Sequence, residues 1–225
     1  MHGDADLTTP ARLMGEPARA AMLVALLDGR SLPASELAAI AGVKAPTASA
    51  HLAQLVDGGL ITDRRLGRHR YFTLAGPDVA DAVEALQRIA PREAVNSYRQ
   101  SATAERLAEA RSCYDHLAGR VALRLADALV AEGAITPLAA GKPGRILEAG
   151  GALASRLRVD GVTTEGRRPV VRGCLDWTER RPHIAGRLGA HLLETLLQAG
   201  WVSRVPGDRS LRVTEAGRTA LGALG

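Results

Sequence analysis

The chain has 225 residues, of which 46% are hydrophobic and only 3% aromatic, so alanine, leucine and valine must fill one large or two modest cores. Two cysteines exclude a disulfide framework, no apolar run is long enough to span a membrane, and the start, MHGDADLTTP, lacks the apolar segment of a signal peptide, which points to the cytoplasm. The net charge of +5 is uneven: residues 1–90 carry nine Lys/Arg against ten Asp/Glu, and residues 91–225 carry 20 against 14. The basic excess of the second part can widen a nucleic-acid footprint or simply be a solvated surface.

Residues 1–9 read as frayed. Residues 10–29 read as helix, with Leu13, Met14, Ala18, Ala21, Met22, Ala25 and Leu26 apolar and interruptions at Gly15 and Pro17. Next comes SELAAIAGVKAPTASAHLAQLVDGGLITDRRLGRHRYFTL, residues 35–74. Leu37, Ala38, Ile40 and Ala41 make the inner stripe of a short helix, which Ser35 can cap and whose first turn holds Glu36. Gly42 stops it, and Val43 turns inward. A second helix starts near Ala45, with Pro46 tolerated in its first turn. Ala48, Leu52, Leu55 and Val56 form its inner face. Thr47, Ser49, Ala50, His51 and Gln54 lie elsewhere on it. Gly58-Gly59 ends it. Two β-prone runs, Leu60–Thr62 and Tyr71–Leu74, flank a basic turn with Arg64, Arg65, Arg68, His69 and Arg70. Helix, turn, helix and basic hairpin in this order predict a winged helix-turn-helix. Its second helix enters a major groove, and its wing meets phosphates or a minor groove.

Residues 12–90 resemble the arsenic-repressor (ArsR/SmtB) family of bacterial winged-helix regulators. The resemblance rests on Glu36-Leu37-Ala38, Thr47 to Leu52, Leu55, Gly59-Leu60-Ile61 and the Arg68-to-Phe72 strand. It implies that Lys44, Ala45, Thr47, Ser49, Ala50 and His51 face DNA. The chain departs from the family at Lys44-Ala45, where a serine-glutamine pair is usual. Gly76-Pro77-Asp78 opens a further helix with Val79, Val83, Leu86 and Ile89 on one face, and the resemblance makes it a dimerisation helix. A homodimer would present two reading helices to a palindromic operator in double-stranded DNA.

Residues 1–90 are thus expected to be the DNA-binding and dimerisation domain, 91–105 a polar linker with some helix, and 106–225 a C-terminal sensor or accessory domain. The overall expectation is a mainly α chain with short β-hairpin wings. One long helix is predicted over roughly 103–132 from Leu107, Ala110, Tyr114, Leu117, Val121, Leu125 and Leu129. A weak repeat of helix, Gly, strand, turn, strand and Ala-Gly follows. Leu55, Gly59, Ile61, Phe72 and Ala75-Gly76 recur as Leu129, Gly133, Ile135, Ile146 and Ala149-Gly150, then as Leu196, Gly200, Val202, Val213 and Ala216-Gly217, with Lys142, Arg145, Arg204 and Arg209 in the later turns. The C-terminal domain should therefore hold two further wing-like units.

Enzymatic motifs are missing: there is no phosphate loop, no Gly-x-Ser-x-Gly and no His-Glu-x-x-His, and Asp115 beside His116 reads as mere adjacency. The family's usual metal sites are missing too. The helix ELAAIAG has no cysteine, and the dimerisation helix carries Asp78, Asp81 and Glu84 without histidine. What remains is Cys113 and His116, three apart on one face of the predicted helix, together with Cys174. These could bind a divalent metal of the zinc or cadmium type, form a redox pair, or be buried thiols with an ordinary histidine. Asp176, His183 and His191 are further potential ligands, and Trp177, Trp201 and Tyr114 could line a pocket for a small organic effector. The expected function is a sequence-specific transcriptional regulator, a repressor released by an effector. The alternative is a winged-helix module that binds protein and has no operator.

Overall fold

The computed structural model describes residues 4–91, 98–148, 150–163 and 165–222. Backbone contacts divide the chain into two units, Met1–Pro91 and Arg92–Gly225. Parts of three sequence readings lie outside the described residues: the frayed start at 1–3, the linker at 92–97, and Ala149 of the repeat.

In the first unit, α1 (Thr8–Met14) and α2 (Pro17–Leu26) meet at an elbow. Pro17 fits the first turn of α2, and extended Glu16 accepts the Arg19 N–H at 2.8 Å. The start is less frayed than expected, because Asp6 accepts the N–H groups of Thr8 and Thr9. Buried Arg19 donates to the carbonyls of Leu13 and Arg12 at 2.8 and 3.0 Å, satisfying the open end of α1. β1 (Leu32–Pro33) leads into α3 (Ala34–Ile40). Ser35 does not cap that helix: Pro33 occupies the cap position and no side chain bonds there. Gly42, at φ +65°, makes the turn, and Val43 N–H bonds to Ala38 O. α4 (Ala45–Asp57) follows, with Pro46 in its first turn. β2 (Ile61–Leu66) and β3 (His69–Leu74) form the wing, and α5 (Pro77–Ile89) closes the unit.

The strand order is β1-β3-β2, with Leu32 opposite Phe72. Strand β1 has two residues, one of them proline, too short for any alternation to register in sequence. Met22, Leu23, Leu26, Leu27, Leu37, Leu52, Leu55, Ile61 and Phe72 are the core. Their burial holds α3 and α4 against α2 and the wing sheet.

The second unit contains α6 (Tyr98–Glu109), β4 (Arg111–Cys113), β5 (His116–Ala118), α7 (Arg120–Ala131), β6 (Pro143–Gly144), α8 (Ala152–Arg156), a 3-10 turn (Val159–Gly161), β7 (Val171–Leu175), β8 (Pro182–Ala185), α9 (Gly186–Gln198), β9 (Val202–Arg204), β10 (Leu211–Val213) and α10 (Glu215–Gly222). The single helix expected over 103–132 is therefore two helices separated by the β4–β5 hairpin. The hairpin occupies about two helical turns' worth of residues, so apolar spacing on either side stays in phase. Tyr114 (φ 57°) and Gly119 (φ 91°) break the helix. A Cβ at Gly119 would lie 2.7 Å from Ala108 O, so no larger residue fits. The core packs α7 and α9 through Leu125, Leu129, Leu188, Leu192 and Leu196 against Val171 and Ile184 of the β6-β7-β8 sheet.

The repeat is visible in backbone geometry. Helices α4, α7 and α9 all end at a left-handed glycine: Gly59, Gly133 and Gly200, with φ of 69°, 69° and 67°. The same capping bond follows each time, Leu60 N–H to Leu55 O, Ala134 N–H to Leu129 O and Trp201 N–H to Leu196 O, all 2.9 Å. Ile135 then pairs with Ile146, and Val202 with Val213. The first copy pairs differently, Ile61 opposite Leu74 and Phe72 opposite Asp63, because its wing is longer. Arg209 is not a solvated turn residue but is buried above Trp177, with 6.0 Å between guanidinium and ring centre. No described helix is long and apolar enough to cross a membrane.

Candidate nucleic-acid interface and a buried Cys-His cluster

Helix α4 buries Ala48, Leu52 and Leu55 and leaves Lys44, Ala45, Thr47, Ser49 and Ala50 exposed. Its packing leaves no slack at the far end: a Cβ on Gly58 would lie 2.1 Å from Leu13 Cδ1. Two of the residues expected to read DNA are engaged by the protein itself. The His51 Nδ1 lies 3.6 Å from the Glu16 carboxylate, and the Gln54 Oε1 accepts the Arg19 Nη1–H at 2.7 Å. The polar surface open on α4 is thus its first turn and a half.

The wing turns through Gly67-Arg68, with Gly67 at φ 59° and Leu66 paired with His69, a two-residue hairpin loop. Arg64, Arg65, Arg68 and His69 are exposed, and Arg68 Nε–H donates to His69 Nε2 at 3.3 Å. Arg70 is exposed too, but it donates to Asp63 Oδ2 at 2.8 Å and lies 5.2 Å above the Phe72 ring. The same bond holds the Asp63 carboxyl below its ordinary range.

In the second unit the sequence candidates Cys113, His116 and Cys174 do come together, with His183 as a fourth member. Their ligand atoms all lie within 4.8 Å of one another. Cys113 and His116 do not share a helix face as expected. They are directly opposed on the β4–β5 hairpin, as Cys174 and His183 are on β7–β8. Each hairpin thus offers one sulfur and one imidazole to the other. Cys113, His116 and His183 are buried and Cys174 partly so. The two sulfurs are 3.9 Å apart and the imidazole centres 5.1 Å apart.

Carboxylates stand behind the rings. Asp115 is a partner of His116 rather than a mere neighbour: its Oδ1 lies 3.3 Å from Nδ1, and Arg168 grips both its oxygens. Burial works to raise the Asp115 carboxyl, but His116 and Arg168 outweigh it and bring it down to about 2. Burial likewise opposes charge on His116, yet Asp115 and the adjacent Cys174 sulfur lift it to about 9. The contact with Cys113, helped by both imidazoles, holds the Cys174 thiol far below its usual range despite burial. Asp176 lies 3.7 Å from His183 Nδ1 and is fully buried. Its Oδ2 accepts Arg111 Nη2–H at 2.9 Å and Gly119 N–H at 2.8 Å, and its Oδ1 accepts Thr178 N–H at 2.9 Å. His116 Nε2 and both ring nitrogens of His183 are buried without a hydrogen-bond partner. Each such atom costs about 1–3 kcal/mol. Sequence reading did not find Arg111 or Asp176 as supports; the pairing of Cys-x-x-His with a second Cys and His was the available signal.

The proposed effector aromatics do not share a pocket wall. Trp177 lies under Arg111 and Trp201 under Arg156, at 4.8 and 4.7 Å. A cleft of about 990 Å³ in the second unit is lined by Arg106, Glu109, Arg124 and Arg212, among others, and by none of Trp177, Trp201 or Tyr114.

Comparison with known proteins agrees with this geometry. A family model described as a helix-turn-helix domain matches residues 14–64. The HTH-type transcriptional regulator YdfF of Bacillus subtilis (strain 168) is 40% identical over 209 residues, 92% of each chain, so the likeness runs through both units. A Streptomyces lividans protein described as "Probable mercury resistance operon repressor" is 36% identical over 72 residues, 32% of this chain and 57% of its own. Among solved structures, the homodimeric winged helix-turn-helix DNA-binding domain of Mb0332 from Mycobacterium bovis is 33% identical, covering 39% of this chain and 87% of that one, with a TM-score of 0.32. With this wing behind this helix pair, and a transcriptional regulator matching nearly its whole length, the chain belongs to the ArsR family of winged helix-turn-helix DNA-binding regulators.

Proposed function

We propose that the protein works as a homodimeric repressor that reads a palindromic operator and is released by an effector. The observation that carries this is the split character of α4, with Ala48, Leu52 and Leu55 sealed into the core while Lys44, Thr47 and Ser49 stand clear beside an arginine-bearing hairpin. Thr47 and Ser49 have the hydroxyls to bond base edges, and Lys44 has the charge to meet a phosphate. Arg64, Arg65 and Arg68 supply counterion-releasing contacts at the wing. The dimer surface is α5, where Ile89 is 80% and Leu86 45% exposed on a helix whose Ala80 and Val83 are buried. A two-fold pair would set the two α4 helices roughly 34–36 Å apart, one helical turn of DNA. The relatives support regulation of transcription, and the mercury-operon likeness supports repression.

The test is selection of an operator from random duplex DNA, followed by titration across salt. Thr47→Ala and Ser49→Ala should each cost about 1–3 kcal/mol on the selected site and little on random DNA. Arg68→Ala should weaken both and lower the salt slope by about 0.9. A triple variant that binds the selected site like the wild type would sink this reading. A wild-type protein that enriches no sequence, yet captures a protein partner without salt dependence, would favour the protein-binding alternative.

A further inference from the structure

We infer that Cys113, His116, Cys174 and His183 form a tetrahedral Cys2His2 site for a zinc-class divalent ion, which clamps the β4–β5 and β7–β8 hairpins together. This goes beyond the operator reading and does not depend on it.

Four observations converge. First, the donor set is two sulfurs and two imidazoles, which suits zinc and its soft relatives and not calcium or magnesium. Second, the spacing fits. Zinc–sulfur bonds of about 2.3 Å in a tetrahedron put two sulfurs about 3.8 Å apart, and the Cys113 and Cys174 sulfurs lie 3.9 Å apart. The remaining donor pairs, all within 4.8 Å, need side-chain shifts on the order of 1 Å to close on one ion. Third, His116 Nε2 and the His183 ring nitrogens are buried with no partner, so the fold presents lone pairs that the protein itself leaves unused. Fourth, each imidazole has a carboxylate near its Nδ1, Asp115 at 3.3 Å and Asp176 at 3.7 Å, and each carboxylate is anchored by an arginine. That is the supporting shell that fixes the ring orientation of metal-bound histidine and leaves Nε2 for the ion.

The four ligands complete the tetrahedron, so no position stays open for substrate water. The site is a structural clamp joining hairpins about 60 residues apart in sequence. On binding, any proton still on a thiol passes to solvent, and no electron moves. A Cys113–Cys174 disulfide would tie the same strands, but it would need an external oxidant and would leave the His116 and His183 nitrogens unpartnered.

The full chain, reduced and stripped with a chelator, should be titrated with cobalt(II). One equivalent should saturate an intense visible d–d band and a near-ultraviolet sulfur-to-cobalt charge-transfer band, and one equivalent of zinc should bleach both. Cys174→Ser and His183→Gln should each abolish the saturable spectrum. Asp115→Asn should weaken cobalt affinity 10–100-fold, and His191→Gln, away from the cluster, should bind like the wild type. If the cysteine variant does not fold, the wild-type titration and His183→Gln decide. A weak octahedral cobalt spectrum with both thiols reduced would overturn the proposal. So would undiminished uptake by His183→Gln, or a Cys113–Cys174 disulfide forming while zinc is present.

Discussion

Replacing Asp176 by alanine should unfold the second unit without touching the first. Arg111 and Asp176 are both fully buried, and their 2.9 Å ion pair is reinforced by Gly119 N–H on the same carboxylate oxygen. Deleting the acid leaves a guanidinium in the core. Its other partners are the Leu107 carbonyl at 3.1 Å and the face of Trp177. Breaking one side of such a pair costs about 3–5 kcal/mol, because the remaining charge is buried and uncompensated. Taking about 4 kcal/mol and an unfolding entropy of about 2.1 cal/mol/K per residue over roughly 130 residues, the melting temperature should fall by roughly 14 °C. Both tryptophans, Trp177 and Trp201, lie in Arg92–Gly225, so their fluorescence follows that unit's unfolding. Measurements belong in chelator, to separate the pair from any bound ion. Adding Arg111→Met to Asp176→Ala should recover part of the loss by removing the stranded charge. A single variant that melts within about 3 °C of wild type, roughly 1 kcal/mol on the same scale, would refute the buried pair's role. So would a double variant less stable than the single one.

Two further outcomes follow from the first unit. Asp63→Asn removes the acid that holds Arg70, so Arg70 can reach a phosphate; the slope of log affinity against log salt should steepen by up to about 0.9, and an unchanged slope would mean that Arg70 stays on the Phe72 ring. Ile89→Glu places a charge on the open apolar face of α5 and should convert the protein to monomer in sedimentation at micromolar concentration, with loss of cooperative operator binding; a stable dimer would move the interface elsewhere.

Legibility differed sharply between the two halves. In residues 35–74 each local signal agreed with the fold: Gly42 at the turn, Pro46 in the first turn of α4, Gly59 at its end, alternation in the wing. The errors there are small and physical. Ser35 lost the cap position to Pro33, and His51 and Gln54 face Glu16 and Arg19, groups some 35 residues away in sequence. In residues 98–131 the apolar spacing was real but ambiguous, since a hairpin about two turns long preserves helical phase. The left-handed Tyr114, which carries no sequence mark, decided the matter. The Cys-His cluster was half legible. Cys113, His116 and Cys174 were identifiable as residues, but their meeting with His183 depends on strand register across two hairpins, which no local pattern encodes.

The threefold recurrence of helix, glycine cap and strand pair raises the question of why one copy faces DNA and two do not. Burial on the capped helix answers it. Helix α4 buries three residues, Ala48, Leu52 and Leu55, a stripe narrow enough to leave most of its surface in solvent. Helix α7 buries Val121, Ala122, Leu123, Leu125, Ala126 and Leu129, and α9 buries Gly186, Leu188, Gly189, Leu192, Leu193 and Leu196. Those are wide faces, enclosed by the unit's own sheet and by each other. At Gly189 the approach is so close that a Cβ would lie 2.5 Å from Ile184 O and 2.9 Å from His116 Cβ. A helix covered that tightly cannot lie in a groove of DNA. The same closeness is what brings the β4–β5 hairpin, with His116, against β8, with His183. In the second unit the apolar surface has gone into making a core, and that core is what gathers two sulfurs and two imidazoles in one place.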